Sequence, residues 1–299
     1  MRVLITGGAG FVGRHLVRHL LRETDWSLTI LDRLGEGSNL QSVADWLHSE
    51  PLARERVAVR WHDLRAPIGH HDGMGRLFRY IIHLAAGSHV DRSIKDPLGF
   101  VADNVIGTAH LLEFARRCEG LEKLLHFSTD EVFGAANGKA FDEYDSFHAT
   151  NPYAASKAAA EALCPAWANT YGLPIVVTRC TNVAGPGQDG EKFIPSCIRT
   201  IRAGGTVQIH ARNGTASSRK YIDAADVARG IETALLRGGL ISGRGSGYYN
   251  IAGDIDHSNV DVAARLAELM GLPLTWELVE DPPNRPRPDL RYDLDNSRL

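Results

Sequence analysis

Short hydrophobic runs alternate with longer amphipathic segments over the first 180 residues of the chain. Six runs rich in Val, Ile and Leu have the length of buried strands: 2–6, 27–31, 57–61, 80–84, 123–128 and 174–179. Between them, segments 12–22 and 100–116 repeat apolar residues at helical spacing. Parallel strands need a crossover connection, which is usually a helix. The alternation therefore predicts a doubly wound α/β fold, a Rossmann-type parallel sheet with helices on both faces.

The composition of the chain changes after residue 180, where segments 180–193 and 210–220 are rich in Gly and polar residues. Further helices are predicted at 194–202, 225–236 and 260–270, and a further strand at 248–252. We therefore expect a smaller C-terminal substrate domain that is interleaved with the first. The predicted division is 1–180 and 219–238 for the Rossmann-type domain, and 181–218 and 239–299 for the substrate domain. Segment 282–292 is rich in Pro and Arg, which predicts an extended segment, with a solvated tail as the alternative.

Composition and charge exclude several classes of function. The 299 residues include 33 Lys and Arg against 36 Asp and Glu, so no basic excess predicts nucleic-acid binding. The four cysteines are widely spaced and form no metal or disulfide motif, which favours a reducing cytoplasm and predicts no metal site. We expect no signal peptide, and no apolar run approaches the roughly 20 residues that span a membrane.

A glycine-rich motif follows the first predicted strand. Residues 8–13 fit G-x-G-x-x-G, and Gly7, Gly10 and Gly13 also fit the shifted spacing. Such glycines let the backbone approach a pyrophosphate, which the amides at the start of the next helix then face. Asp32 ends the second strand 19 residues after Gly13, where a carboxylate accepts from ribose hydroxyls. The motif predicts a dinucleotide site and favours NAD, although the adjacent Arg33 keeps NADP open.

A Tyr-Lys pair opens a predicted helix later in the chain. Asn151 is a typical N-cap, and Tyr153 and Lys157 lie four residues apart, on one helical face. A phenol with a pKa near 10 is a poor base unless positive charge stabilises the phenolate. Lys157, the helix N-terminus and an oxidised nicotinamide would supply that charge. A solvated helix face explains most such pairs, but the dinucleotide motif favours catalysis here.

Polar residues also follow the fifth predicted strand. Thr129, Asp130 and Glu131 lie at the carboxyl edge of the sheet, where open α/β sheets bind ligands. Thr129 is placed to hydrogen-bond the same substrate hydroxyl as Tyr153. Two adjacent carboxyls provide one acid and one base when their environments separate their pKa values. A solvated turn is the alternative explanation of this pair.

Ordered motifs along nearly the whole chain carry a resemblance to a known family. They are TGGAGFVG, DRLGEGSNL, HLAAGSHVDRSI, STDEVFG, NPYAASKAAAE, CTNVAGPGQDGEKFIP, RKYIDAADVA and YNIAGD. The chain resembles the extended short-chain dehydrogenase/reductase superfamily and, within it, the nucleotide-sugar 4,6-dehydratases of the dTDP-glucose 4,6-dehydratase type. The Thr-Asp-Glu sequence is the part that indicates dehydratases.

The resemblance implies a redox-neutral cycle on a nucleotide-linked hexose, with NAD as the cofactor. Tyr153 would remove the C4 hydroxyl proton while hydride passes to NAD, assisted by Thr129 and Lys157. Glu131 would then take the C5 proton and protonated Asp130 would donate to the departing C6 hydroxyl. The product would be a 4-keto-6-deoxy sugar.

The resemblance also implies binding residues and a homodimer paired through segments 98–117 and 151–171. Cofactor contacts would come from Gly7, Gly10, Phe11, Val12, Asp32, Asp63, Leu64, Leu84, Ala85, Ser88, Tyr153 and Lys157. Sugar-nucleotide contacts would come from Ser88, Thr129, Asp130, Asn182, Lys192, Arg219 and Asn250.

Departures from the family pattern keep alternatives open. Gly87 stands where the family has Glu, and Val183 and Ala184 replace polar and aromatic groups. Near the end, Pro288 and Leu290 replace His and Arg. A 4-epimerase, a dehydratase that forms a 5,6-unsaturated sugar, and an NAD-sensing protein without turnover remain alternatives. Neither the nucleoside base nor the C2 substituent of the sugar is settled by the sequence.

Overall fold

A computed structural model describes residues 1–35, 40–69, 75–136, 138–242, 246–280 and 289–299. Its central element is a seven-stranded sheet in which every pair is parallel. The strands are β1 (Arg2–Thr6), β2 (Ser27–Asp32), β3 (Val57–Trp61), β4 (Tyr80–His83), β5 (Lys123–Thr129), β6 (Ile175–Cys180) and β11 (Tyr248–Ile251). Their spatial order is β11-β6-β5-β4-β1-β2-β3, so the direction in which successive strands are added reverses between β1 and β4. This order confirms the predicted Rossmann-type fold.

The described helices are α1 (Phe11–Glu23), α2 (Leu40–Ser49), α3 (Ala53–Arg56), α4 (Val90–Lys95), α5 (Pro97–Phe100), α6 (Gly107–Ala115), α7 (Pro152–Tyr171), α8 (Phe193–Arg202), α9 (Ala224–Arg237) and α10 (Asn259–Met270). Helices α1 and α9 pack on one face of the sheet and α6 and α7 on the other, whereas α8 and α10 pack against β8 (Thr206–Arg212) of the second region. One core cluster joins β1 and β2 to α1 and α9, and contains Ile5, Leu16 and Ile231. The other joins β4 and β5 to α6 and α7, and contains Ile81 and Leu112. Side chains alternate between these two clusters because successive strand residues point to opposite faces. None of the described helices is long and apolar enough to cross a membrane.

The predicted helix over 100–116 is interrupted by a π-helical segment, Val101–Ile106, which continues directly into α6. Within it, the Asn104 side chain accepts from the Gly87 amide at 2.7 Å and donates to the Ser156 hydroxyl at 2.8 Å. Asn104 is buried, so these bonds fix the segment against α7 and the loop after β4. Such π-turns occur frequently at functional sites.

Smaller sheets form the second region. Strand β10 (Ser218–Asp223) pairs with β7 (Asn182–Ala184), β12 (Asp256–Ser258) and β14 (Arg291–Tyr292). Strand β8 (Thr206–Arg212) pairs with β9 (Thr215–Ala216) and β13 (Thr275–Glu280).

The structure corrects the predicted domain division at one strand and excludes the solvated-tail alternative for the end of segment 282–292. Strand β11 belongs to the central sheet, beside β6, although the predicted division put 239–299 in the substrate domain. Most of the predicted extended segment 282–292 lies outside the described residues, but its last part is not a solvated tail. Tyr292 is 2% exposed and Leu294 is fully buried, because β14 pairs with β10 and both side chains enter the core. The rest of the domain division stays a prediction.

Candidate active site

A cavity of about 650 Å³ opens at the carboxyl ends of the central strands. It lies where the strand order reverses, which is the ligand-binding position of open α/β sheets. All of the predicted cofactor residues line it: Gly7, Gly10, Phe11, Val12, Asp32, Asp63, Leu64, Leu84, Ala85, Ser88, Tyr153 and Lys157. The fold therefore brings this set together from five separate segments of the chain.

The glycine motif forms the turn between β1 and α1. Gly7 has a φ of 69°, and a Cβ there would lie 2.6 Å from the Ala85 amide nitrogen. At Gly13, a Cβ would overlap the Gly7 carbonyl oxygen, so the helix packs against the turn only because both residues are glycines. Gly10 is the N-cap of α1 and provides no side-chain cap. The first amides of α1 therefore border the cavity, a cradle that fits a pyrophosphate.

The carboxylate of Asp32 lies at the far end of the same cavity. It accepts from the Ala9 amide at 3.1 Å and from the Leu34 amide at 2.9 Å. The residue is only 8% exposed, so these bonds fix its position at the end of β2. Asp63 and Leu64 line the wall beyond it. This arrangement fits a ribose next to Asp32 and an adenine next to Leu64.

Tyr153 and Lys157 project from the first two turns of α7. The Asn151 side chain caps this helix by accepting from the Ala154 amide at 2.9 Å, and the Tyr153 amide donates to Ser93 Oγ at 3.0 Å. Lys157 Nζ donates to the Phe127 carbonyl at 2.7 Å, and burial lowers the pKa of Lys157 to about 8. The predicted pair is thus formed.

The pKa of Tyr153 moves in the direction opposite to the sequence-based argument. Burial raises it above the ordinary value of 10.0, and the charge of Glu131 raises it further. A hydrogen bond with Thr129 acts in the other direction. Lys157 does not offset the burial, because its ammonium is turned toward the Phe127 carbonyl. Ionisation of this phenol therefore requires positive charge beyond that of the protein.

The carboxyls of Asp130 and Glu131 have different environments. Thr129 Oγ1 donates to Asp130 Oδ1 at 3.0 Å, whereas Asp130 Oδ2 is buried with no hydrogen-bond partner among the described residues. Burial, reinforced by the charge of Glu131, raises the pKa of Asp130 to about 7. Glu131 is only partly buried, and its Oε2 accepts from Asn151 Nδ2 at 3.1 Å. A neutral acid therefore lies next to a hydrogen-bonded carboxylate.

Sequence reasoning missed a second partner of Glu131. The phenol of Tyr292 lies 3.2 Å from Glu131 Oε2 and 2.9 Å from Asp289 Oδ2. Thr150 donates to the same Asp289 oxygen. Nothing in the local pattern around residue 292 indicates this contact.

The predicted substrate residues differ in their distance from the cavity and in what they contact. Ser88 lines the cavity, and Lys192 Nζ donates to its carbonyl at 3.0 Å. Asn182 is half-buried at the start of β7. Arg219 instead donates to the carbonyls of Leu290 at 2.7 Å and Asp289 at 2.9 Å, with its guanidinium 4.6 Å from the centre of the Tyr292 ring.

Asn250 does not border the cavity. It is fully buried, and its Nδ2 donates to the carbonyls of Phe141 at 3.1 Å and Asp295 at 2.9 Å. Its amide nitrogen donates to the Glu143 carboxylate at 3.0 Å. The side chain joins chain segments around β11, and in this position it does not contact a ligand of the cavity.

Among the described residues, His89, Asp189 and Glu191 bring three metal-ligand types within 4.8 Å of one another. Arg92 pairs with Glu191 at 2.9 Å and lies 3.9 Å from Asp189, so a cation already neutralises these carboxylates. This cluster connects α4 to the loop before α8, at the rim of the cavity.

Comparisons with known proteins agree with this site. A model of the NAD dependent epimerase/dehydratase family matches residues 3–252. The dTDP-glucose 4,6-dehydratase of Streptomyces niveus is 37% identical over 308 residues, which cover 100% of this chain and 86% of the relative. The dTDP-glucose 4,6-dehydratase of Escherichia coli is 34% identical over 327 residues, which cover 100% of this chain and 87% of the relative.

Solved structures share the fold over the whole chain. The dTDP-glucose 4,6-dehydratase of Streptomyces venezuelae, solved with NAD bound, has a TM-score of 0.86 at 34% identity. The match covers 100% of this chain and 89% of the Streptomyces venezuelae chain. A variant of the UDP-glucuronic acid 4-epimerase of Bacillus cereus, solved with NAD, has a TM-score of 0.88 at 26% identity and covers 100% and 91%. The glycine cradle, the Tyr-Lys pair and these matches together show that the chain belongs to the NAD dependent epimerase/dehydratase family.

Proposed function

We propose that this protein is a nucleotide-sugar 4,6-dehydratase, which removes water from a nucleotide-linked hexose and forms a 4-keto-6-deoxy sugar. The observation that carries the proposal is the pair of carboxyls beside Tyr153. Asp130 is buried with a pKa of about 7, while Glu131 is hydrogen-bonded and partly exposed. Elimination of water needs one group that donates a proton and one that accepts a proton, and this pair provides both.

NAD is the cofactor, and when bound it would supply the hydride acceptor and donor of the cycle and, in its oxidised form, a positive charge. Tyr153 is the base for the C4 hydroxyl proton. Thr129 supports this role because its hydroxyl hydrogen-bonds the phenol and opposes the effect of burial on the pKa of Tyr153. Lys157 lies one helical turn after Tyr153 on the same face of α7 and provides a protein cation for this site.

Once C4 is a ketone, the C5 proton becomes acidic. Glu131 is the base for that proton, because Asn151 and Tyr292 hold its carboxylate in place. Asp130 is the acid for the departing C6 hydroxyl, because burial keeps it protonated up to about pH 7. Each proton then has a designated acceptor or donor.

The fold alone does not separate dehydratases from epimerases, since a 4-epimerase matches it with a TM-score of 0.88. Epimerisation at C4 requires Tyr153 and rotation of the sugar, but no acid and base at C5 and C6. The Asp130 and Glu131 pair therefore favours dehydration. We propose that the sugar-nucleotide side is formed by Ser88, Asn182, Lys192 and Arg219. Arg219 acts there indirectly, because it holds the segment that contains Asp289 and Leu290.

The product mass tests this function. The purified protein is incubated with dTDP-glucose, which is the substrate in the names of the similar proteins, and in parallel with UDP-glucose. We expect a product lighter by one water, at a rate that Asp130→Asn and Glu131→Gln lower by roughly 10² or more. A product of unchanged mass would assign epimerisation instead, and unimpaired water loss in both variants would refute the two roles. Retention of bound NAD in the variants controls for folding.

We also propose that the protein is a cytoplasmic homodimer that binds no nucleic acid. All four cysteines are free thiols, which supports a reducing compartment. A stripe of exposed small residues supports the dimer: Ala155, Ala159, Ala162 and Ala166 recur along α7. Leu98, 79% exposed, extends the same side of the molecule at α5. Small side chains allow two helices to approach closely, and apolar ones gain by burial.

A further inference from the structure

The end of β2 carries two adjacent residues with opposite implications for the cofactor. The Asp32 carboxylate fits the hydroxyls of an adenosine ribose, whereas Arg33 is the residue type that binds a 2′-phosphate. The sequence therefore leaves both NAD and NADP open at this point. The contacts that Arg33 makes determine whether its guanidinium is available to bind a 2′-phosphate.

Arg33 is held in a two-pronged ion pair. Its Nη1 donates to Asp103 Oδ1 at 2.6 Å and its Nη2 donates to Asp103 Oδ2 at 2.8 Å. Asp63 adds a second carboxylate 3.9 Å from Nη1. The hydrogen bond to Asp103 is the main cause that raises the pKa of Arg33. Parallel paired bonds of this kind give a guanidinium both its strongest interaction with a carboxylate and a fixed direction.

Asp103 is itself fixed in position. It belongs to the π-helical segment Val101–Ile106, on the wall of the cavity opposite β2. The neighbouring Asn104 anchors this segment through its bonds to Gly87 and Ser156. The Asp103 side chain is 14% exposed, against 41% for Arg33. The more exposed arginine therefore pairs with a less exposed carboxylate on an anchored segment.

The charges at this end of the cavity oppose a second phosphate. Three carboxylates, those of Asp32, Asp63 and Asp103, line it together with the guanidinium groups of Arg33 and Arg65. Arg65 is also engaged, because it donates to Asp63 Oδ2 and lies 3.8 Å from Asp103 Oδ1. A 2′-phosphate, with a charge of about −2, would face Asp32, while Arg33 and Arg65, the two arginines described at this end of the cavity, are both paired with carboxylates.

We propose that Asp103 is a specificity-determining residue for the cofactor, which withholds Arg33 from a 2′-phosphate and so reinforces the choice of NAD by Asp32. The two acids then act differently. Asp32 favours NAD by accepting from the ribose hydroxyls and repelling phosphate. Asp103 disfavours NADP by occupying the cation that would bind it. The proposal concerns dinucleotide binding alone and is independent of the reaction on the sugar.

The test compares the affinities of the purified protein for NAD and NADP, measured by calorimetry after the dinucleotide that co-purifies has been identified and removed. The variants are Asp32→Ser, Asp103→Asn and their combination. Asp32→Ser alone weakens NAD binding and leaves NADP binding weak, because Arg33 stays paired. In the double variant, NADP affinity rises by about ten- to a hundredfold more than the product of the single effects, the range of one charge-assisted hydrogen bond. Adding Arg33→Met to the double variant removes that gain.

Two controls make the outcome decisive. Asp96→Asn removes the same charge from the same cavity, and Asn preserves the cap that Asp96 provides to the Gly99 amide. An equal NADP gain in Asp96→Asn and Asp103→Asn, each combined with Asp32→Ser, would overturn the proposal, as would strictly multiplicative single effects. Arg33→Met alone tests it without altering Asp103: NADP affinity stays unchanged if Arg33 is withheld, and a clear loss contradicts the proposal. Because no sugar is present, these results stand whatever the fate of the dehydratase assignment.

Discussion

The phenol of Tyr292 lies 3.2 Å from the carboxylate of Glu131, although 161 positions separate the two residues along the chain. Glu131 follows β5 of the central sheet, and Tyr292 belongs to β14 of the second region. The base proposed for the C5 proton is therefore held by a residue of the substrate side. This contact links the geometry of elimination to the packing of the C-terminal segment.

Replacing Tyr292 by Phe should slow elimination more than oxidation at C4. The phenol has one proton, which Glu131 Oε2 at 3.2 Å shares with the closer Asp289 Oδ2 at 2.9 Å, so losing the bond to Glu131 costs about 0.5–1.5 kcal/mol, or roughly two- to tenfold in rate. Exchange of the sugar C5 hydrogen with deuterated water reports on Glu131 directly and should fall with the overall rate. Tyr221→Phe is the matched control, since its phenol donates to Asn259 at 3.0 Å, away from Glu131. Equal exchange rates in the two variants would contradict the positioning role.

The rate of water loss should fall as the pH rises through about 7. Burial raises the pKa of Asp130 to about 7, so the proton that it donates is present below that pH and lost above it. A pH profile of kcat for the unmodified enzyme should show this descending limb. The limb should be absent from the residual activity of Asp130→Asn, which has no proton to lose. A limb that persists unchanged in that variant would belong to another group.

Asp130→Asn should also stabilise the folded protein at alkaline pH. The folded-state pKa of about 7 exceeds the ordinary value of 3.8, so the stability linked to this proton is fully present below about pH 4 and is lost as the pH rises through 7. A shift of about three units corresponds to at most about 4 kcal/mol. The gain in urea midpoint of the variant over the unmodified protein should therefore be larger near pH 8 than near pH 5. An equal gain at both pH values would place the folded-state pKa near its ordinary value.

Arg219→Lys should loosen the C-terminal segment. The guanidinium bonds the carbonyls of Asp289 and Leu290 and packs on the Tyr292 ring, which a single ammonium cannot reproduce. We expect a loss of about 1–3 kcal/mol in the free energy of unfolding. Arg229→Lys, an exposed pair with Asp226 on α9, is the control and should change stability by less than about 0.5 kcal/mol. Limited proteolysis should cleave Arg219→Lys faster near 289–294, and identical digestion patterns would argue against the role.

Ala159→Arg should separate the proposed homodimer. The side chain is exposed in the chain alone and lies in the middle of the small-residue stripe of α7, so a bulky cation there would keep two copies apart. Sedimentation should show a dimer for the unmodified protein and a monomer for the variant. Ala264→Arg, at an exposed position of α10, should leave the dimer intact. A monomer in all three samples would remove the dimer from the proposal.

Local patterns predicted most of the central sheet and the cofactor cradle. The bounds of β1 and β3 agree with the predicted runs, because a short apolar run between turn-forming or polar segments specifies a strand. The wider set of cofactor residues came from the family resemblance, and the fold brings it to one edge of the sheet. The carboxyls of Asp130 and Glu131 were found because they directly follow a predicted strand.

Contacts between distant segments were beyond the reach of the sequence. A π-turn adds one residue to a helical repeat, so the apolar stripe over 100–116 did not reveal the segment that contains Asp103. The family motif placed Asn250 at the substrate, whereas its burial in β11 directs its amide to backbone carbonyls. The raised pKa of Tyr153 was missed because the magnitude of desolvation depends on packing, which no spacing encodes.

The position of Tyr292 has a consequence for the synthesis of the protein on the ribosome. Residues 1–180 contain the glycine cradle, Tyr153 and Lys157, so this part of the nascent chain already carries the groups that grip a dinucleotide. Glu131 receives its phenolic neighbour only when translation reaches position 292. A growing polypeptide thus contains its dinucleotide-contacting residues long before Glu131 acquires its phenolic neighbour, which separates the completion of the two sites in time during synthesis.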